Sequence, residues 1–152
     1  MNEKGFFTLL GISFLLPMLF LISGLFLIFT NEQKMSSLTL EGTYAQYLAE
    51  NALEKTLADL CSDLSVYDQI CEEARYQNIS YKKTLYTETA DLNGRPTKVT
   101  VSLRFFNYSA SYFTLSSVGE YGNTAKRITV YIKETNHILS IVRWDYHEQP
   151  NI

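Results

Sequence analysis

Residues 6–29 read FFTLLGISFLLPMLFLISGLFLIF, and the reading of this run decides the fold. It contains no charged residue. At about 1.5 Å per residue it extends roughly 36 Å as a helix, against a hydrocarbon core of about 30 Å. Only a helix satisfies its own backbone groups in lipid, so the run is predicted to be helical despite its Phe-rich and β-branched content. A cleaved secretory signal has a shorter apolar core, of about 7–15 residues, and a small-residue exit site. Here Leu27-Ile28-Phe29 passes straight into Thr30-Asn31-Glu32-Gln33-Lys34, so the length favours a retained anchor. Lys4 and the amino terminus precede the run and Lys34 follows it. The positive-inside rule, which gives Glu3 little weight, slightly favours an N-terminus in the cytoplasm, and charge alone does not fix the orientation. Pro17 removes a backbone donor and crowds the Ser13 carbonyl, which predicts a kink or a weakened turn.

Past the run, helical periodicity continues. Leu40, Tyr44, Tyr47, Leu53, Leu57, Leu60 and Leu64 recur mostly at three and four residues, with Glu41, Gln46, Glu50, Glu54, Lys55 and Asp59 between them. This predicts an amphipathic helix continuous with the anchor, the alternative being two helices hinged near Asn31 or Gly42. Ser65-Val66-Tyr67-Asp68 has the form of a capping box for a short helix over Val66 to Arg75. From Ser80 the period becomes two. Strands are predicted over Tyr81–Thr89, Val99–Phe105, Ala110–Val118, Ile128–Lys133 and Ile138–Tyr146. Asn93-Gly94 signals a tight hairpin, which Arg95-Pro96 lengthens in one reading, and Gly119-Glu120-Tyr121-Gly122-Asn123 joins the next pair. Short links between successive strands imply an antiparallel meander. The amphipathic helix is the element available to cover its apolar face. The fold class is therefore α+β, with a long N-terminal helix packed on a small antiparallel sheet.

Composition narrows the function. About 120 residues follow the anchor, enough for one small domain. The net charge is −3 and no Lys/Arg run exceeds two residues, so charge implies no nucleic-acid partner. His137 and His147 are the only histidines, and neither stands in a metal-ligand spacing. No Gly-x-Ser-x-Gly elbow occurs, so the sequence offers no catalytic constellation and no cofactor site. Gly119-Glu120-Tyr121-Gly122 spells an RNA-clamp loop but reads better as a turn. Asn78-Ile79-Ser80 and Asn107-Tyr108-Ser109 spell glycosylation sequons. Trp144 and Tyr146 share a strand face, either as a contact patch or as part of the sheet core. Cys61 and Cys71 leave two readings open. Outside the cytoplasm a disulfide closing their loop contributes about 2–3 kcal/mol; otherwise they are two unpaired buried thiols.

The N-terminal junction adds a resemblance. Lys4-Gly5-Phe6-Phe7-Thr8-Leu9-Leu10, a short leader ending in Gly and followed by Phe and an apolar helix, resembles the N-terminus of type IV prepilins and pseudopilins. Tyr44-Ala45-Gln46-Tyr47-Leu48-Ala49-Glu50-Asn51-Ala52-Leu53 is similar to a stretch common in minor pilins. Tyr112 to Asn123, followed by an Ile/Val strand, is similar to their assembly-assisting hairpin. The resemblance implies cleavage by a prepilin peptidase between Gly5 and Phe6, N-methylation of Phe6, and partnership with other pilin subunits after a stay in membrane lipid. It divides the chain into a leader (1–5), a transmembrane or filament-core helix (6–29), an amphipathic continuation (30–64) and an extracytoplasmic β domain (65–152). One departure matters. Leu10 stands where most pilins have a Glu that pairs with a neighbour's amino terminus. A Leu there avoids the cost of a buried charge but cannot neutralise that terminus. Among pseudopilins this loss accompanies the filament tip, so the resemblance implies an initiating or capping subunit of a pilus, type II secretion or DNA-uptake filament. The rival expectation is a single-pass anchored binding domain, neither processed nor polymerised.

Overall fold

The structure, a computed structural model, describes residues 3–75, 81–105, 112–135 and 138–148. It comprises α1 (Glu3–Ser62), α2 (Leu64–Arg75) and five strands, β1 (Tyr81–Leu92), β2 (Arg95–Phe105), β3 (Tyr112–Tyr121), β4 (Thr124–Thr135) and β5 (Ile138–Glu148). The chain divides into two compact units, Met1–Thr39 and Leu40–Ile152. Helix α1 is unbroken through Pro17, Asn31 and Gly42, so the hinged alternative is not adopted.

In the second unit the strands form one sheet in the order β1-β2-β3-β4-β5, every neighbour antiparallel, as the short links predict. Asn93 (φ 56°) and Gly94 (φ 74°) form a two-residue turn with both residues in the left-handed region, the geometry for which Asn-Gly is selected. Leu92 pairs with Arg95, so Arg95-Pro96 does not lengthen the loop. The β3–β4 turn is only Gly122-Asn123, with Gly122 at φ 58°. Gly119, Glu120 and Tyr121 belong to β3 instead. Irregular pairing interrupts β1 between Thr84 and Tyr86, and the β4–β5 ladder at Tyr131/Ile132.

The sheet's inner face carries Val99, Val101, Leu103 and Phe105 of β2, Phe113 and Leu115 of β3, and Ile128, Val130 and Ile132 of β4, all buried. Tyr67 of α2 packs among Phe105 and Phe113, with ring centroids 6.3 and 5.3 Å away. Side chains at alternate positions point outward, because successive residues of a strand face opposite sides.

The stripe that α1 buries agrees with the predicted one at Leu53, Leu57 and Leu60 but differs from it in the preceding turns. Leu40, Tyr44 and Tyr47 are exposed, whereas Glu41, Gly42, Ala45, Ala49, Ala52, Leu53, Thr56 and Leu60 are buried. The reason lies at Gly119. A Cβ there would overlap the Ala45 carbonyl oxygen and stand 2.8 Å from the Ala49 nitrogen. The sheet thus approaches the helix backbone itself, and only small residues on the helix permit that spacing. Larger apolar side chains fall to the flanks, where Tyr44 stacks on Tyr121 at 5.0 Å.

Helix α1 ends at Ser62, and Leu64 already opens α2. The cap of α2 is Asp63, not the predicted Ser65: its Oδ1 accepts from the Ser65 amide (3.0 Å) and hydroxyl (2.6 Å). Those bonds hold the Asp63 carboxyl below the usual range.

Candidate functional site: the apolar helix and the Glu41 tie

In the first unit, Gly5, Phe6 and Leu10 all lie within the opening turns of α1. Phe6 and Leu10 are four residues apart and so share a helix face. Phe6 (54% exposed) and Leu10 (43%) are both open, and Phe6 meets Phe7 edge-on at 6.2 Å. Further along the helix the pattern is uniform: every residue from Leu9 to Thr39 is exposed except the half-buried Gly24. An apolar surface encircling a helix is stable in lipid or among other apolar helices, not in water. The hydroxyls are compatible with both. Ser23 donates to the Leu19 carbonyl at 2.8 Å and Thr30 to that of Leu27 at 3.0 Å, so neither brings an unpaired donor into an apolar medium. Beyond the helix's own backbone, nothing among the described residues lies within 4 Å of the space a Cβ would take at Gly11 or Gly24. The helix is long and apolar enough for one membrane span.

In the second unit, Glu41 forms a polar tie that the periodicity did not reveal. It is 7% exposed, on the stripe that faces the sheet. Its Oε1 accepts from Arg95, which opens β2 after the first turn. Its Oε2 accepts from the Asn123 amide (3.4 Å) and the Thr124 hydroxyl (3.5 Å) at the β3–β4 turn. The Arg95 hydrogen bond, against the opposing effect of burial, keeps the Glu41 carboxyl below its ordinary 4.5. One carboxylate therefore fastens two hairpin turns to one turn of helix. Its charge looked solvent-facing in sequence because Leu40 and Tyr44 beside it looked like the buried face.

No disulfide joins Cys61 and Cys71: Cys61 is exposed at the end of α1, while Cys71 on α2 packs against the core. Trp144 and Tyr146 stack at 6.5 Å on the inner side of β5, Trp144 against the core and Tyr146 57% exposed. Glu73 on α2 accepts from Lys83 (2.8 Å) and from the Tyr81 hydroxyl, binding β1 to the helix layer. Burial, reinforced by that bond, pushes the Tyr81 hydroxyl up to about 12. A shallow groove beside the β1 irregularity is lined by Lys55, Asp59, Val66 and Tyr86, among others, with Lys55 placed 5.2 Å over the Tyr86 ring. Among the described residues no three His, Cys, Asp or Glu side chains are grouped to hold a metal ion. His137 and both sequons lie outside the described residues.

Comparison with protein-family models, with curated proteins and with solved structures finds no match. What defines the chain is thus its architecture: an α+β protein with a long helix, apolar over its first half, that carries a five-stranded antiparallel meander on its second.

Proposed function

We propose that this chain is a minor pilin or pseudopilin. It is held in the cytoplasmic membrane by the apolar half of α1, with its β domain outside the cytoplasm. Prepilin peptidase cuts between Gly5 and Phe6, Phe6 is methylated, and the helix then leaves lipid for a bundle of neighbouring pilin helices. The role is structural rather than catalytic. The observation that carries this reading is the single helix Glu3–Ser62, exposed and apolar at one end and mounted with a meander at the other. Extraction into a bundle exchanges lipid contacts for helix packing, and the open surface at Gly11, Ser13 and Gly24 favours close approach. Leu10 supports a place at the start or tip of the filament, where no subunit ahead requires a carboxylate.

Intact-mass measurement on the mature protein, from cells with and without prepilin peptidase, tests the proposal. The expected product lacks Met1–Gly5 and carries one added methyl group, only when the peptidase is present. An unprocessed N-terminus in peptidase-positive cells refutes it and leaves a fixed single-pass anchor bearing a binding domain. For the tip assignment, immunogold label belongs at filament ends, and uniform labelling along filaments counts against it.

A further inference from the structure

The outward face of the sheet gathers cations that are far apart in sequence. Lys82 pairs with Arg104, Arg104 with Thr114, Thr114 with Tyr131, and Tyr131 with Arg143. Directly paired residues project to the same face, so these five form one row across all five strands. Four interstrand steps make the row about 19 Å long. Lys133, paired with Tyr112, lies one step further along the same face. The two tyrosines serve as seats for cations. The Arg143 guanidinium lies 4.5 Å from the Tyr131 centroid, and the Lys133 ammonium 5.5 Å from that of Tyr112.

We infer that this row is a binding strip for a nucleic-acid backbone. The chain as a whole has a net charge of −3, so four cations along one row and its margin are a local segregation of charge. Lys82 and Arg104 are exposed, and the Arg143 side chain is 61% exposed while it holds Asp145 at 3.2 Å. Asp145 is the acidic residue in the neighbouring row, which otherwise consists of hydroxyls: Thr84, Ser102, Ser116 and Thr129. A line of cations suits a ligand whose own charges are closely spaced along a line, and the Thr84 and Ser102 hydroxyls beside Lys82 and Arg104 suit phosphate oxygens, whereas Ser116 and Thr129 bond each other at 2.9 Å. An acidic protein fits less well. Lys82, Arg104 and Arg143 are exposed, unlike the buried anchors on which protein partners depend. The inference concerns the β domain and stands independently of how the N-terminus is processed.

The test uses the full chain in detergent and fluorescence anisotropy with labelled oligonucleotides of about 30 residues, single-stranded and duplex, between about 50 and 200 mM salt. Four phosphate contacts predict a single-strand log–log salt slope of about −3, hence about 50-fold weaker binding across that range. Lys82→Gln with Arg104→Gln should reduce the slope by about 1.5–2, and Lys82→Gln alone by about 0.7–1. Lys55→Gln, on the opposite side of the sheet, should leave slope and affinity unchanged. The urea midpoint read by Trp144 fluorescence verifies that each variant is folded, and the single variant decides if the double one is not. Absence of salt-dependent binding, or binding equal in the folded variants and the parent chain, overturns the inference. Equal affinity for poly-glutamate, lost in the same variants, overturns it in favour of an acidic protein partner.

Discussion

Gly119→Ala puts the helix–sheet spacing under direct test. The new methyl group would overlap the Ala45 carbonyl oxygen and sit 2.8 Å from the Ala49 nitrogen and 3.2 Å from the Ala49 Cβ. Carbon contacts settle at about 3.5–4.0 Å, so the Ala49 contact alone requires the helix to retreat by about 0.7 Å, and the Ala45 oxygen requires more. A gap of that size forfeits about a quarter to a half of each dispersion contact along the Ala45–Ala49–Leu53 stripe. Overpacking of this kind costs about 1–3 kcal/mol, and the upper part applies because the obstacles are backbone atoms that cannot rotate away. Replacing Gly in a strand returns about 0.5–1 kcal/mol of backbone entropy, leaving a net loss of about 2 kcal/mol. The assay is urea unfolding of the full chain in detergent, followed by Trp144, its single tryptophan. With a slope of about 1–3 kcal/mol per molar, the midpoint should fall by about 1 M. Adding Ala49→Gly should not restore it, because the Ala45 carbonyl remains in place. A change within about 0.5 kcal/mol would refute the close approach.

Glu41→Gln should destabilise the β domain by about 1–2 kcal/mol, since it weakens a charged hydrogen bond at a buried site. A double-mutant cycle with Arg95→Gln measures the coupling, and additive losses would refute the tie. Because the folded Glu41 carboxyl lies below its ordinary 4.5, its contribution is present above that pH and is lost as pH falls through the lower folded value. The parent chain should therefore lose stability below about pH 4.5 more steeply than Glu41→Gln, and parallel profiles would contradict this. Ser117→Ala should raise stability by about 1 kcal/mol, because the fully buried Ser117 hydroxyl has no hydrogen-bond partner among the described residues; a loss of that size would reveal one. Tyr81 should ionise at about pH 12, and its raised value means that its stabilising contribution holds below about pH 10 and is lost as pH climbs toward 12. In an alkaline absorbance titration, Tyr81→Phe should remove a tyrosine step near pH 12, and removal of one near pH 10 instead would contradict the burial.

Much of this architecture was legible from period and composition. The 24-residue apolar run and its unbroken continuation announced one long helix; alternation located β2 and β4, and richness in Tyr, Phe, Ile and Val located the other three strands, with Ala110, the predicted start of β3, lying outside the described residues. Asn93-Gly94 was legible because so few residues accept two successive positive φ values. Leu53, Leu57 and Leu60 were legible, but the first turns of the α1 stripe were not, because periodicity weighs side-chain size whereas there the sheet selects smallness. Gly42, Ala45 and Ala49 carry almost no hydrophobic signal yet occupy the contact. The Glu41 tie was hidden for a related reason: its partners, Arg95, Asn123 and Thr124, are more than fifty residues away and meet only once the hairpins have formed. The same holds for the cation row. Residues 82, 104, 133 and 143 form no cluster in the sequence, and strand register alone lines them up.

The Glu41 tie also has a mechanical meaning. A pull along α1 from its N-terminal end enters the β domain at the first buried residue of the stripe, which is Glu41. There the load divides between two hairpins, one reached through Arg95 and the other through Asn123 and Thr124. The strands behind those turns lie side by side in one ladder, so neither hairpin can be drawn off without shearing its neighbour. A single carboxylate thus acts as a yoke, spreading traction across the sheet before any strand pair bears it alone.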